Sequence, residues 1–519
     1  MIGSLQSTTL IAPPESRAGV GPTGATFILF VVLAGVACIT HEPWRDEAQA
    51  WLIARDVGLW QLVSHQTRYE GSPALWHLLN MPLVWAEMPF WSQRLLNFLF
   101  AAGAAALLLW RAPLPFWMRA GAALSYFLLY EYAVIARNYA LGMFLLFAAL
   151  AFYEKRLERP LIYGLLLGLL AQASVFGLLF AFGLGLSFLT ETTQRKNLRP
   201  AALALSVALI GGIAAFLQIL PAEDVVSTGA TGGDDVPDLM LANIVHAFGD
   251  ALAPGIADTI RGIDDRLPRL AALVVLCLVA GTAWALFSLR IVVSLRAFVL
   301  FAAVLGGIVY LVAVVRTGTP RVHGHLLLAL IASLWISRQL GEDGRAIRIG
   351  PINLGGSWLA RGSAAFLAVS LAISIALAAL SVGREIIHPF SGSSDMARHL
   401  GESGHGSRPI IGYRASQTAT VLPHLGDKTL WLPEYERFGS YVTWSTAWQT
   451  RSRGLSAGEV ASIAEPHLDL SETLFLLSAP TNDPRFELLH HAPSVMKDES
   501  LYLYGFTAHT GDPSPDDRG

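Results

Sequence analysis

The chain has 519 residues, 53% of them apolar and only 14% charged, with a mean hydropathy of +0.49. A water-soluble domain is roughly 45–50% apolar and about 25% charged, so this composition excludes an ordinary soluble protein and a disordered one alike. The net charge is −3 with no dense basic run, which removes nucleic acid as a partner and leaves the lipid bilayer as the solvent to reason from.

Residues 1–23 form a short N-terminal segment whose one basic residue, Arg17, makes a poor signal-peptide start, and no small-residue cleavage pattern follows, so the first span is expected to be retained. Apolar runs then recur at 24–40, 90–110, 116–133, 139–153, 161–176, 177–191, 201–220, 268–289, 297–315, 324–337 and 363–382. A run of about twenty residues crosses the ~30 Å hydrocarbon core, so the pattern predicts about eleven transmembrane helices within residues 24–383. Arg111 and Arg119, then Lys155, Arg156 and Arg159, then Arg195, Lys196 and Arg199, then Arg290 and Arg296, and last Arg338, Arg345, Arg348 and Arg361 occupy every second connection. By the positive-inside rule these connections face the cytoplasm, together with the N-terminus. The acid-rich stretch 221–266 is expected outside, and an odd number of spans carries the C-terminal segment outside as well. Cys38 and Cys277 each lie in an apolar run and cannot build a disulfide framework or a thiolate zinc site.

Two regions lie outside this pattern. Residues 41–89 form a first outer loop in which PALWHLLNMPLVW (73–85) is too short to span and reads as an interfacial helix. Trp44, Trp51, Trp60, Trp76, Trp85 and Trp91 are expected at headgroup level. From residue 384 the composition turns to Gly, Ser, His and charge, predicting an outer α/β domain over 384–507. Its strands are expected near 409–413, 473–478 and 501–506, its helices near 395–403 and 456–467, with a disordered tail at 508–519. Trp431, Tyr435, Tyr441, Trp444 and Trp448 crowd one part of this domain; we read them as core, with stacking on sugars as the alternative.

Charged side chains are costly in the bilayer, so clusters at its outer face are the candidates for chemistry. HEPWRDEAQAW (41–51) sets Asp46 and Glu47 side by side just after the first span. A carboxylate there can take a proton from an attacking hydroxyl, although acids also suit the first turn of any helix. HQTRYEGSPALWH (65–77) adds His65, Tyr69 and Glu70 around a Gly-Ser-Pro turn. EYAVIARNYAL (131–141) and RTGTPRVHGH (316–325) bring Arg137, Tyr139, Arg316, Arg321, His323 and His325, and the three guanidiniums can each grip a phosphate, the alternative being contact with lipid headgroups. A His pair two residues apart shares a face only in a strand, so a divalent metal is not favoured and no cofactor is assigned.

In this order the clusters resemble the GT-C superfamily of polyprenyl-phosphate-sugar glycosyltransferases, in particular the bacterial protein mannosyltransferase/aminoarabinose transferase branch (family 39-like). RDEAQAW matches the acidic motif after the first span, EGSPALWHLL the start of the interfacial helix with Ala74 where a second Pro is usual, and ARNYAL the second-loop motif. The resemblance implies a GT-C-like fold and inverting transfer of a sugar from a polyprenyl-phosphate donor to a protein, lipid or polysaccharide acceptor outside the cytoplasm, at a bacterial inner membrane. It also implies Asp46 as general base with Glu47 as a second catalytic acid orienting sugar or acceptor, phosphate binding by Arg137, Arg321, His323 and Arg316, and sugar or acceptor binding by Tyr69, Glu70, His65, Tyr139 and His325. A polytopic transporter or flippase is the alternative, disfavoured because the charges sit at outer helix ends and no internal repeat is evident.

Overall fold

The computed structural model describes residues 21–194, 196–226, 236–315, 319–342, 347–349, 352–354, 357–452, 454–496 and 498–507. Arg316 and the expected tail 508–519 lie outside the described residues. The chain is a polytopic helical membrane protein with a small C-terminal sheet domain.

The first helix, α1 (Pro22–Thr40), is followed by a compact run of shorter helices, α2 (Arg45–Asp56), α3 (Leu59–Gln61), α4 (Thr67–Glu70) and α5 (Leu75–Trp85). The helical body continues through α6 (Trp91–Arg111), α7 (Phe116–Ala123), α8 (Asn138–Phe152), α9 (Pro160–Ala173), α10 (Val175–Gln194) and α11 (Arg199–Ile219). It closes with α12 (Val236–Leu252), α13 (Ile256–Arg261), α14 (Arg266–Ile291), α15 (Leu295–Tyr310), α16 (Pro320–Gln339) and α17 (Ser357–Ile387). Among the described residues seven of these helices are long and apolar enough to cross a membrane: α1, α6, α10, α11, α14, α15 with the turn after it, and α17.

The remaining expected spans are helical but depart from a plain crossing. The run at 116–133 breaks at Ser125, whose extended backbone ends α7 and starts a π-helical turn, Tyr126–Glu131; the freed Tyr126 N–H donates to Ser374 Oγ of α17 at 2.9 Å. α8 and α9 are short for a crossing. α9 is held by close approach to α11: a methyl added at Gly211 would stand 2.6 Å from Gly168 Cα. α16 is long enough, but its first turn is polar, and every side chain from His323 to Ser337 is buried. A helix buried all round belongs at the centre of a bundle. α12, inside the stretch read as an outer acidic loop, packs against α14, α16 and α17.

The tryptophans divide. Trp60, Trp85 and Trp91 are exposed, whereas Trp44, Trp51 and Trp76 are buried, against the headgroup-level expectation. For Trp51 the reason is the C-terminal domain, which covers α2, whereas Trp44 packs edge-on to Phe390 and Trp76 belongs to the core of the helical body. Ala48, Trp51 and Leu52 share one apolar core with Phe90, Met396, Leu400, Leu422 and Leu430.

That domain follows a hairpin of β1 (Ile347–Ile349) and β2 (Ile352–Leu354) and then α17. It comprises α18 (Ser393–Glu402), β3 (Ile410–Gly412), α19 (Ala415–Thr418), β4 (Leu430–Leu432), β5 (Arg437–Gly439), α20 (Thr446–Arg451), α21 (Ala457–Ala464), β6 (Leu474–Leu477), β7 (Phe486–Ala492) and β8 (Leu501–Phe506). The six strands pair in the order β5-β4-β3-β6-β8-β7, with β3 parallel to β4 and β6 and the other pairs antiparallel. The expected strands and helices are present; β4, β5 and β7 complete the sheet.

A candidate active site at the first turn of α2

Glu47 and Asp46 open α2 as acids in a first turn, where the exposed amides favour them. Successive helical residues point about 100° apart, so the two carboxylates enter different surroundings. Glu47 turns inward and is fully buried. It accepts from the Trp44 N–H at 3.2 Å, closing the helix start, from the Ala136 N–H at 2.8 Å, and pairs with His41 Nε2 at 2.9 Å. His41 Nδ1 lies 3.1 Å from Glu385 of α17, which also accepts from Tyr130 Oη. Burial disfavours the charged imidazole, but the two carboxylates outweigh it and raise its pKa to about 9. Every Glu47 oxygen is thus committed to holding the turn. The expectation that it works on substrate is not what its surroundings offer.

Asp46 turns the other way and meets two cations. Its Oδ2 accepts from Arg321 Nη1 at 2.9 Å and from Arg137 Nη1. Arg137 is delivered by the extended residue before α8, and Arg321 by the first turn of α16, which starts at Pro320. The three side chains are 27%, 28% and 14% exposed, so the cluster is open to an incoming group. Arg321 also faces Glu131 Oε1 at 3.5 Å, and its guanidinium lies 4.8 Å from the Trp44 ring. Arg137 sits 5.4 Å over Tyr139.

Glu70 is buried beside this cluster. It accepts from Gln49 Nε2 at 3.0 Å and Gln66 Nε2 at 3.4 Å. Burial is the leading influence and, against these donors and Arg137, pushes its pKa up to about 7. Gln49 in turn pairs both ends of its amide with Val442 of the C-terminal domain, donating to the carbonyl at 2.7 Å and accepting from the N–H at 3.0 Å. The same domain reaches the start of α2 through Ser393, which donates to Pro43 O at 2.9 Å, and Glu499, 3.6 Å from Arg45. Burial, only partly offset by Arg45, raises the Glu499 pKa to about 8.

The other expected residues disperse. His323 pairs with Asp250 of α12 at 2.9 Å and is buried. His325 lies in an aromatic cage, stacked on Phe176 with ring centres 4.0 Å apart and flanked by Tyr132 and Tyr139, its Nδ1 directed at Val322 O. Tyr69 donates to Asp224 at 2.6 Å, with His65 against its ring. Packing accounts for both histidines of α16: a residue two places on in a helix points to a different neighbour, so the pair separates. Glu131, Tyr132 and Gln49 were not singled out from sequence. Tyr132 Oη donates to Arg321 O at 2.8 Å and so fixes the backbone that carries the guanidinium. The acid at 131, stranded in an apolar run, is the one signal that could have been read. Among the described residues no group of three or more His, Cys, Asp or Glu is arranged to hold a metal ion.

No protein-family model matches this chain, and no curated protein does. Among solved structures, the crystal structure of ArnT from Cupriavidus metallidurans bound to undecaprenyl phosphate is similar over 94% of this chain and 99% of that chain, at 13% identity and a TM-score of 0.47.

Proposed function

We propose that the chain is an integral membrane glycosyltransferase that moves a sugar from a polyprenyl phosphate to an acceptor hydroxyl outside the cytoplasm, with inversion. The observation that carries the reading is the partly exposed Asp46 clasped by Arg137 and Arg321, three residues from three separate elements. A donor whose tail stays in lipid must present its phosphate where spans meet water, and two guanidinium forks suit that phosphate.

In the resting site Asp46 occupies the forks. An arriving phosphodiester, a monoanion like the carboxylate, offers two non-bridging oxygens to the two forks and so competes for them, and the second negative charge that develops on the phosphate as it leaves falls between the same guanidiniums. Asp46 then accepts the proton of the acceptor hydroxyl as its oxygen bonds the anomeric carbon. The bond from that carbon to the phosphate oxygen breaks on the opposite face, and the polyprenyl phosphate leaves with the electron pair, held by Arg137 and Arg321. Glu131 keeps Arg321 aimed, and Tyr132 holds its backbone. Glu70, with a pKa near 7, is suited to orient the sugar or acceptor through either protonation state.

The test uses the full chain in nanodiscs with radiolabelled undecaprenyl-phosphate mannose, glucose and aminoarabinose, and a detergent extract of bacterial envelope as acceptor. Transfer of label is expected with at least one donor, and Asp46→Asn should lower it by roughly 10²–10⁴-fold, the range for a general base, with melting unchanged. Undiminished transfer by the variant overturns the base assignment. Labelled lipid changing leaflet with no covalent transfer would favour a flippase.

A further inference from the structure

The C-terminal domain carries a cleft of about 250 Å³ lined by Arg414, Ser416, Gln417, Trp448, Ser452 and Gly454. It is joined to the first turn of α2 through Gln417 and Arg45. Gln417, with its amide oriented to suit its neighbours, donates to Ser416 Oγ at 2.6 Å and Arg414 O at 3.1 Å, and accepts from Arg45 Nη1 at 3.2 Å. Arg45 is the chain neighbour of Asp46. A group seated in the cleft therefore stands one side chain away from the first turn of α2.

The lining has a definite chemical character. Trp448 supplies an aromatic wall, partly buried against Trp444 with ring centres 4.8 Å apart, and its indole N–H meets no acceptor among the described residues. Ser416 has its hydroxyl hydrogen to give, and the Ser452 and Gln417 oxygens, already engaged with Gln449 O and Arg45, each keep a lone pair that can accept. Among the described lining residues Arg414, partly exposed, is the charged group, and it stands at the N-cap of α19 with φ of 58°, a left-handed backbone that few non-glycine residues adopt. Gly454, also at positive φ, leaves the rim open. An aromatic face with polar groups and a cation around it suits a hydroxyl-rich ring, neutral or singly anionic.

We infer that this cleft is a saccharide subsite, binding a sugar unit of the acceptor on the C-terminal domain. The inference rests on the glycosyltransferase reading for its purpose but not for its test. Trp448 has two roles on this view: its inner edge packs in the domain core, as expected from sequence, and the rest forms the wall of the cleft.

The full chain in nanodiscs, with no donor present, is titrated with methyl glycosides of glucose, mannose, N-acetylglucosamine and galacturonic acid and followed by saturation-transfer NMR. At least one glycoside should give a saturable signal from its ring protons. Trp448→Ala should weaken that binding by about tenfold, the scale of one aromatic contact. Should that variant fail to fold, Ser452→Leu, which fills the cleft from its rim, should give the same loss with melting retained. No saturable signal with any glycoside, or equal signals from wild type and the folded variants, overturns the subsite. Because no turnover is measured, these results stand apart from the labelled-transfer assay: binding without transfer would count against the enzyme reading alone, and transfer without binding against the subsite alone.

Discussion

Asp46 and Glu47 are chain neighbours in one helical turn, yet they belong to two regions built on opposite terms. Around Glu47 the site is sealed: His41, Glu47 and Glu385 have side chains 0–2% exposed, and both Glu47 oxygens and Glu385 Oε1 have partners of fixed geometry. Around Asp46 the groups are a quarter exposed, and two cations share one carboxylate. Burial makes the first network a lock, because breaking it strands a charge away from water. Exposure makes the second a site, because an incoming anion can replace the carboxylate and water can cover any donor left over. Sequence adjacency thus says little about shared role.

The sharpest way to break this comparison is Glu47→Ala. Removing one partner of a buried pair costs about 3–5 kcal/mol, so a large drop in melting temperature is expected, with turnover per folded molecule preserved. Normal melting with lost turnover would instead put Glu47 at the substrate. The pH dependence follows from His41. Its folded pKa is raised from 6.5 to about 9, so the stabilisation is fully present below pH 6.5 and is lost as pH rises through about 9, where the gap between variant and wild type should narrow.

A smaller effect of opposite sign is expected at Glu70. Its pKa rises from 4.5 to about 7 in the folded protein, so the folded state holds a proton that the unfolded chain releases, and stability falls as pH rises between those values. Glu70→Gln removes that penalty, on the order of 3 kcal/mol at most, and should raise the melting temperature at pH 8 while leaving it near wild type at pH 4.5. Equal shifts at both pH values would mean that Glu70 is not buried as a neutral acid.

The smallest expected change is Arg321→Lys. The charge remains, but the fork shared between Asp46 and Glu131 and the flat contact with Trp44 are lost. About a tenfold fall in kcat/KM for the labelled donor is expected, with melting little altered. A full loss of folding would make Arg321 part of the lock rather than of the site.

Asp46, Arg137 and Arg321 were legible in the sequence because each is a charge at the end of an apolar run, where charge is tolerated only for a reason. Glu131 was hidden by lying inside the run 116–133, which a hydropathy reading takes as unbroken; the break at Ser125 that frees it depends on Ser374, almost 250 residues later. Gln49 was invisible as an uncharged residue on a short helix until Val442 was found against it. His323 and His325 looked like a pair because nothing local shows that one faces Asp250 and the other an aromatic cage.

By itself, then, the sequence determined the solvent this chain lives in, the apolar runs from which its helices are built and the charges at their ends, since apolar length and the cost of buried charge are local properties. Only the tertiary structure decided which charges meet. Which way a side chain points from a helix turn, and what another element hundreds of residues away sets opposite it, is fixed by packing, and packing made Asp46 an open site and Glu47 a closed one.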